Sequence, residues 1–167
     1  MSDSVPAEQT LCPIARCTEL AGDRWTILIL RELFAGCTRF DDIQAQTGAT
    51  AQMMAGRLRR MEGDGLITRR VYEKRPLRHE YLLTDKGRDY YPVILALRSF
   101  GERWCKRADE PKAIRLFHND CGGEVGLDGV CIGCRNAVNL SDATAHPTPE
   151  YTDERRKRMR AFKARNK

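Results

Sequence analysis

The sequence predicts a mainly α-helical fold of the α+β class, with one small β-hairpin among five helices. Three observations lead to this prediction. Apolar residues recur at helical spacing between residues 12 and 62, two stretches rich in Val, Ile, Leu and Tyr follow at 66–73 and 78–83, and glycines separate the segments. A chain of 167 residues is long enough to bury one core and to carry a small appendage.

Start and stop signals place the individual elements along the chain. Pro13 opens the first helix, Gly22-Asp23 breaks the chain before the second, and Thr50 stands at the N-cap of the fourth. A fifth helix follows Thr84 and bends at Pro92. The predicted helices cover about residues 12–21, 24–34, 40–46, 51–62 and 85–107, and a turn at 74–77 joins the two strands.

The third and fourth helices, joined by Thr47-Gly48-Ala49, have the order of a helix-turn-helix. Residues of the fourth helix that recur every three or four positions predict a buried stripe of Ala51, Met54, Leu58 and Met61. The other faces carry small, polar or basic side chains, as a helix that reads base edges requires. Together with the hairpin that follows, this segment predicts a winged helix-turn-helix with duplex DNA as its partner.

The net charge of +6 does not by itself locate a DNA-binding surface. Residues 151–167 hold eight basic and two acidic residues, so the rest of the chain is formally neutral. Residues 57–78 hold eight basic and three acidic residues, an excess that coincides with the fourth helix and the hairpin. The predicted DNA-binding residues are Thr50, Gln52, Met53, Gly56, Arg57, Arg60, Arg69, Arg70, Lys74, Arg75 and Arg78.

These residues have different expected roles. Arg57 is suited to a two-bond contact with guanine, whereas the other basic residues are suited to phosphates. Gly56 weakens a helix by about 1 kcal/mol relative to alanine, so close approach to DNA or close helix packing must explain it. The arginines also have a simpler interpretation, as a solvated face.

Several motifs follow one another in order between Cys12 and Trp104. They include Cys12-Pro13, Gly22-Asp23-Arg24-Trp25-Thr26, Leu30-Arg31-Glu32-Leu33, Arg39-Phe40, the run from Leu58 to Ile67, and Tyr81 to Gly87. In this order they resemble the HxlR-type winged-helix transcriptional regulators, relatives of the MarR group. The resemblance implies a homodimer formed by the N-terminal and fifth helices, with two recognition helices on a pseudo-palindromic operator. Ala49-Thr50 and Met53-Met54-Ala55-Gly56 depart from the usual family sequence, so the operator sequence does not carry over.

Cys12 is a candidate redox-sensing residue. It precedes the first helix, whose dipole favours a thiolate, and Arg16 lies one turn further on. The resemblance implies the same role, because some members of the family sense oxidants or electrophiles through a matching cysteine. The alternative is an apolar contact at the dimer interface, since a buried cysteine packs as a small hydrophobe.

Four residues near the C-terminus have the spacing of a metal site, His118-x2-Cys121-x9-Cys131-x2-Cys134. Two close ligand pairs around a glycine-containing loop suit tetrahedral Zn(II), and Gly122, Gly123 and Gly133 permit tight turns. Because all four ligands come from the protein, the spacing predicts a structural zinc in a zinc knuckle-like module at 112–140. The alternative is a loose extension with free thiols.

The remaining features limit the classes of function. The chain has no P-loop, dinucleotide fingerprint or nucleophile motif, so we expect no enzyme. It has neither a signal-peptide pattern nor an apolar run near the roughly 18 residues of a membrane span, which makes the cytoplasm the expected location. We expect a disordered start at 1–11, the winged helix-turn-helix with dimerisation helices at 12–108, and a linker with a basic tail at 141–167.

These expectations combine into one function. They describe a cytoplasmic, DNA-binding transcriptional regulator, a repressor that responds to a thiol-reactive signal or to a small-molecule effector. The rival interpretation is a zinc-containing adaptor that binds protein or RNA and uses the winged helix as an interaction module.

Overall fold

The structure is a computed structural model that describes residues 9–107 and 109–166. Residues 1–8 of the expected disordered start lie outside the described residues. The helices are α1 (Pro13–Ala21), α2 (Arg24–Phe34), α3 (Phe40–Thr47), α4 (Ala51–Gly63), α5 (Asp85–Arg88), α6 (Tyr91–Trp104) and α7 (Pro149–Arg165). The strands are β1 (Ile67–Lys74), β2 (Leu77–Leu83), β3 (Ile114–His118) and β4 (Ala143–Pro147).

The main core forms where α2, α3 and α4 meet the base of the β1–β2 hairpin. Asp23 begins α2, because its carboxylate accepts hydrogen bonds from the main-chain N–H groups of Trp25 and Thr26 at 3.0 and 3.2 Å. The largest fully buried apolar side chains of this core are Ile29, Leu30, Ile43, Met54, Leu58, Met61, Leu66 and Ile67. Ala51, which was predicted to share the buried stripe of α4, is exposed because that stripe begins one turn later, at Met54.

The β1–β2 hairpin, here called the wing, has a base attached to the core. The strands pair antiparallel from Ile67 opposite Leu83 to Lys74 opposite Leu77, with a shift in register between Val71 and Glu73. The N–H of Tyr81 donates to the carbonyl of Thr38 at 2.8 Å, which links β2 to the start of α3. The wing therefore keeps a fixed position relative to the helix-turn-helix.

The predicted fifth helix is divided into α5 and α6. Pro92 has no N–H to donate to the carbonyl of Arg88, and its ring would clash with that carbonyl, so the helix ends and restarts instead of bending. Tyr90 occupies the break, where it is buried and its hydroxyl donates to the carbonyl of Ala21 at 3.1 Å. The second half, α6, leaves its residues Leu97, Phe100 and Trp104 exposed.

The described part of 141–167, expected as a linker with a basic tail, contains a strand and a helix. Residues 143–147 form β4, which pairs antiparallel with β3, and the ring of His146 meets Phe117 edge to face at 5.2 Å. Residues 149–165 form α7, which returns to pack against α3. Polar contacts hold α7 in place and none of its residues is fully buried, so a search for apolar periodicity does not find its docking.

Among the described residues, no helix combines the length and the apolar character needed to cross a membrane.

Candidate nucleic-acid interface and metal cluster

The helix-turn-helix is formed by α3, a turn and α4. Gly48 ends α3 in the left-handed conformation, at a φ of 72°, which glycine adopts without strain. Thr50 caps α4, because its hydroxyl accepts a hydrogen bond from the N–H of Met53 at 3.2 Å. With Met54, Leu58 and Met61 buried, the rotation of α4 is fixed and its opposite face is open.

The open face of α4 carries Gln52, Met53 and Gly56, all of them exposed. A Cβ added at Gly56 would meet nothing within 4 Å among the described residues. Close helix packing within the chain therefore does not explain this glycine.

Two arginines of α4 are engaged within the fold. Arg57 Nη1 lies 3.2 Å from Asp23 Oδ2, and the Arg57 side chain is only 24% exposed. Burial would raise the pKa of Asp23, but hydrogen bonds from Thr26 and the charge of Arg57 outweigh it and lower that pKa. Arg60 Nη2 donates to the carbonyl of Glu19 at 3.0 Å. Both arginines thus tie α4 to neighbouring elements.

The wing carries two kinds of basic residue. Arg69 and Arg70 are exposed but paired, with Glu62 at 3.3 Å and Glu80 at 2.7 Å respectively. Lys74, Arg75 and Arg78 stand at or next to the wing tip, and within the described chain they form no ion pair. The unpaired positive charge of the wing is therefore concentrated at its tip.

Cys12 is exposed and directly precedes α1. Its N–H donates to Thr10 Oγ1 at 3.1 Å, and Arg16 Nε donates to the carbonyl of Thr10 at 2.7 Å. The Arg16 guanidinium is thus directed at the backbone. The structure keeps the thiol accessible and at a helix N-terminus.

The four predicted metal ligands come together in space. One ligand atom from each of His118, Cys121, Cys131 and Cys134 lies within 4.8 Å of the others. His118 Nδ1 is 3.4 Å from Cys121 Sγ and 3.3 Å from Cys134 Sγ, and the Sγ atoms of Cys121 and Cys131 are 3.4 Å apart. A tetrahedral ion with metal–sulfur bonds of about 2.3 Å separates its ligands by about 3.8 Å. The donor set and its spacing therefore fit a metal ion.

The surroundings of the cluster favour metal binding as well. Hydrogen bonding from the main-chain N–H of Cys134, with a further bond from Gly133, lowers the pKa of Cys131 to about 6. A lowered thiol pKa favours the thiolate, which is the form that binds metals. His118 Nε2 lies 3.6 Å from Asp120 Oδ2, which can orient the ring for coordination through Nδ1.

Gly123 allows the chain to pass directly against the thiols. A Cβ at this position would lie 2.7 Å from Cys131 Sγ and 3.2 Å from the nitrogen of Gly133. At Gly133 the nearest atom to such a Cβ would be 3.6 Å away, an ordinary contact. Of these two glycines, only Gly123 is required by the packing of the cluster.

The module that carries the cluster is attached to α6. Leu95 of α6 packs against its small core, which is formed by Leu116, Val125, Cys131 and Val138. Arg98 Nη2 also donates to the carbonyl of Ile114 at 3.0 Å. The module and α6 therefore form a continuous surface.

Glu32 is a structurally important residue that the sequence analysis missed. Its carboxylate is fully buried in α2, 2.7 Å from Arg31 Nη2 and 3.1 Å from Arg155 Nη1 of α7, and it also accepts from Arg155 Nη2. Burial would raise the pKa of Glu32, but the two arginines outweigh it and hold that pKa below its usual value. A charged residue within the apolar stripe of α2 was the signal for a buried partner.

A helix-turn-helix followed by a two-stranded wing, with a basic surface on both, defines a winged helix-turn-helix DNA-binding protein. Comparison with known proteins agrees with this class. Residues 20–109 match the family described as HxlR-like helix-turn-helix, and the chain belongs to that family. Its members are transcriptional regulators, so this chain is a DNA-binding transcriptional regulator of the HxlR type and not an enzyme.

Relatives share more than the family region. The chain is 36% identical over 138 residues to the HTH-type transcriptional regulator Rv3095 of Mycobacterium tuberculosis, which covers 83% of this chain and 87% of the relative. This alignment is longer than the family match at residues 20–109, so it extends beyond that region. Among solved structures, PA1607, a candidate transcription factor, is 34% identical and superposes with a TM-score of 0.66. The match covers 83% of this chain and 96% of the PA1607 chain.

A second solved structure bears on regulation. The oxidised form of the redox regulator HypR is 30% identical and superposes with a TM-score of 0.52. The match covers 57% of this chain and 98% of the HypR chain.

Proposed function

We propose that this chain binds operator DNA as a homodimer and represses transcription, with α4 in the major groove and the wing on the neighbouring backbone. The open face of α4 carries this proposal. A buried stripe holds the helix on the core while Gln52, Met53 and Gly56 face outward, and no contact among the described residues explains Gly56. This is the arrangement that a helix needs in order to reach base edges.

The remaining predicted residues divide by their partners. Thr50 sets the start of α4, and Arg57 and Arg60 position the helix through Asp23 and Glu19. The phosphate contacts are assigned to the basic residues of the wing, namely Arg69, Arg70, Lys74, Arg75 and Arg78. Arg57 is not assigned the expected guanine contact, because its side chain is mostly buried and pairs with Asp23. Its role in this proposal is to position α4.

The test is selection of duplexes from a random pool, followed by salt-titrated binding of the selected duplex. Gln52→Ala should change the selected sequence, because it removes a base contact. Lys74→Gln with Arg78→Gln should weaken binding to all sequences and lower the salt slope by about 0.9 for each lost phosphate contact. Arg107→Gln, beyond the end of α6, is the control. Selection without any sequence preference would favour the adaptor of protein or RNA.

The homodimer is assigned to the exposed apolar residues of α1 and α6. Ile14 is 72% exposed, Phe100 62% and Trp104 68%. Side chains of this size at such exposure are typical of an interface with another protein. A second copy of the chain covers them best, since the resemblance assigns dimerisation to these same two helices.

The cofactor proposed for the Cys/His cluster is one structural Zn(II) per chain. Three sulfur ligands and one imidazole nitrogen at tetrahedral spacing suit this ion, and no position is left for a substrate. The small core of the module is too limited to hold it folded alone, so the ion would supply much of its stability.

A thiol-reactive signal at Cys12 is the proposed input, supported by its exposure and by the likeness to a redox regulator. Cys12→Ser should keep DNA affinity after mild peroxide treatment, whereas the parent should lose it. Cys105→Ser, which removes another exposed thiol, is the matched control. If Cys12→Ser and the parent respond alike, Cys12 is not the switch.

A further inference from the structure

The C-terminal helix α7 lies beside the helix-turn-helix, and a cleft separates the two. The α3–α7 cleft has a volume of about 420 Å³ and is lined by residues of α2, the end of α3 and α7. Four lining residues are arginines, namely Arg24, Arg31, Arg158 and Arg165, and none is acidic. The cleft is therefore a concave surface of positive charge.

The cleft has fixed walls. Arg155 pairs with the buried Glu32, and Gln46 Nε2 of α3 donates to the carbonyl of Arg155 at 3.1 Å. Arg31 Nη2 and Arg158 Nη1 both donate to the carbonyl of Gln46, at 3.3 and 3.4 Å. These bonds hold α7 on α3 and set the separation of the arginines before any ligand arrives.

Part of the positive charge is available to a ligand. Arg31 and Arg158 also pair with Glu32 and Glu154, but in the described part of the chain Arg24 and Arg165 form no ion pair. The outer surface of α7 adds Lys157, Arg160 and Lys163, which are exposed and likewise unpaired within the described residues. The excess of positive charge fits an anion larger than one carboxylate.

The position of the cleft indicates which anion this is. Gly48 lines it, and Gly48 lies two residues before Thr50, the cap of the recognition helix α4. In helix-turn-helix complexes the second helix enters the major groove with its N-terminal residues on the bases, while the first crosses the backbone. In such a complex, a cleft at the end of α3 next to that N-terminus would lie against the DNA backbone.

We propose that α7 is an additional DNA-binding element, whose α3–α7 cleft holds a backbone phosphate beside the bases read by α4. This inference rests on the proposed function and extends it to residues outside the matched family region, which ends at 109. The contacts are independent of base sequence. They add affinity and salt dependence and fix the approach of the dimer to its operator.

The test compares salt slopes on one duplex of random sequence. Arg158→Gln with Arg165→Gln should lower the slope by about 0.9 for each phosphate contact removed. Arg165→Gln alone should lower it as well and leaves the bonds between α7 and α3 intact. Arg107→Gln with Lys112→Gln removes two exposed, ion-paired cations between α6 and β3, and it should leave the slope unchanged. Circular dichroism verifies that each variant is folded.

Three results would overturn the inference in distinguishable ways. If the parent binds no duplex at any salt concentration, the proposed function fails together with this extension. If Lys74→Gln with Arg78→Gln lowers the slope but the α7 variants do not, only the α7 inference fails. If pyrophosphate raises the melting temperature of the parent but not of Arg158→Gln with Arg165→Gln, while the DNA slopes agree, the cleft binds a free phosphate compound instead.

Discussion

At the scale of single residues, Gly123 gives the sharpest test of the metal cluster. We expect Gly123→Ala to weaken zinc binding, because its Cβ would lie 2.7 Å from Cys131 Sγ and would displace that ligand. Changes directly beside metal ligands typically reduce affinity by about 10–100-fold. Competition with a chromogenic chelator measures this loss, and thermal unfolding reports its effect on stability.

Gly133→Ala is the matched control for this substitution. It adds the same methyl group in the same loop, but the nearest atom would be 3.6 Å away. This variant should keep about one zinc per chain, the stoichiometry expected of a structural site. Equal zinc affinity in the two alanine variants would show that the close approach of Gly123 to Cys131 is not needed for zinc binding.

At the scale of elements, one buried ion pair attaches α7 to the rest of the protein. Arg155→Gln should release α7, because it removes the positive charge of α7 that pairs with Glu32. Breaking a buried pair costs about 3–5 kcal/mol, and the loss here should be smaller because Arg31 still pairs with Glu32. Hydrogen exchange along 149–165 measures the release. Arg156→Gln changes the neighbouring residue, whose ion pair among the described residues is with the exposed Asp153, and should leave exchange unaltered.

The same pair predicts how stability depends on pH. The pKa of Glu32 in the folded protein lies below its usual value of 4.5, so its stabilisation is fully present above that pH. It is lost as the pH falls through the lowered pKa and the carboxylate becomes protonated. Urea unfolding between about pH 5 and 3 should therefore show a steeper loss for the parent than for Glu32→Gln. Parallel curves would mean that Glu32 contributes nothing to acid sensitivity.

The elements differ in how far the sequence could predict them. The start of α4 and the pairing of the wing depend on local signals, namely the Thr50 cap and two short strands, and both occur as predicted. The grouping of the four Cys and His side chains was also predictable, since each pair is close in sequence. The docking of α7 was not, because Arg155 and Glu32 are 123 residues apart and the contact is polar. Apolar periodicity contains no information on such a pair.

At the scale of the whole molecule, the exposed apolar residues of α6 lie next to the C-terminal module. Phe100 and Trp104 line a cleft of about 1270 Å³ between α6 and the loops of the module that carries the Cys/His cluster. Because Leu95 packs the module against α6, the module would contribute to any interface built on this helix. A symmetric dimer formed here would bring two copies of α4 together on one duplex.

We expect Trp104→Glu with Phe100→Glu to dissociate the dimer, because each would place a charge where an apolar interface must exclude water. Light scattering coupled to size-exclusion chromatography should give the mass of one chain, 19.1 kDa, where the parent gives about twice that mass. Leu77→Glu replaces an apolar residue of similar exposure, 63%, at the wing, and should remain dimeric. DNA affinity should fall in both variants, in the first because the dimer is lost and in the second because the wing is altered. The measured mass distinguishes the two causes. If the parent is monomeric at micromolar concentration, a second copy of the chain does not cover the apolar face of α6. A different protein would then be the partner of that face.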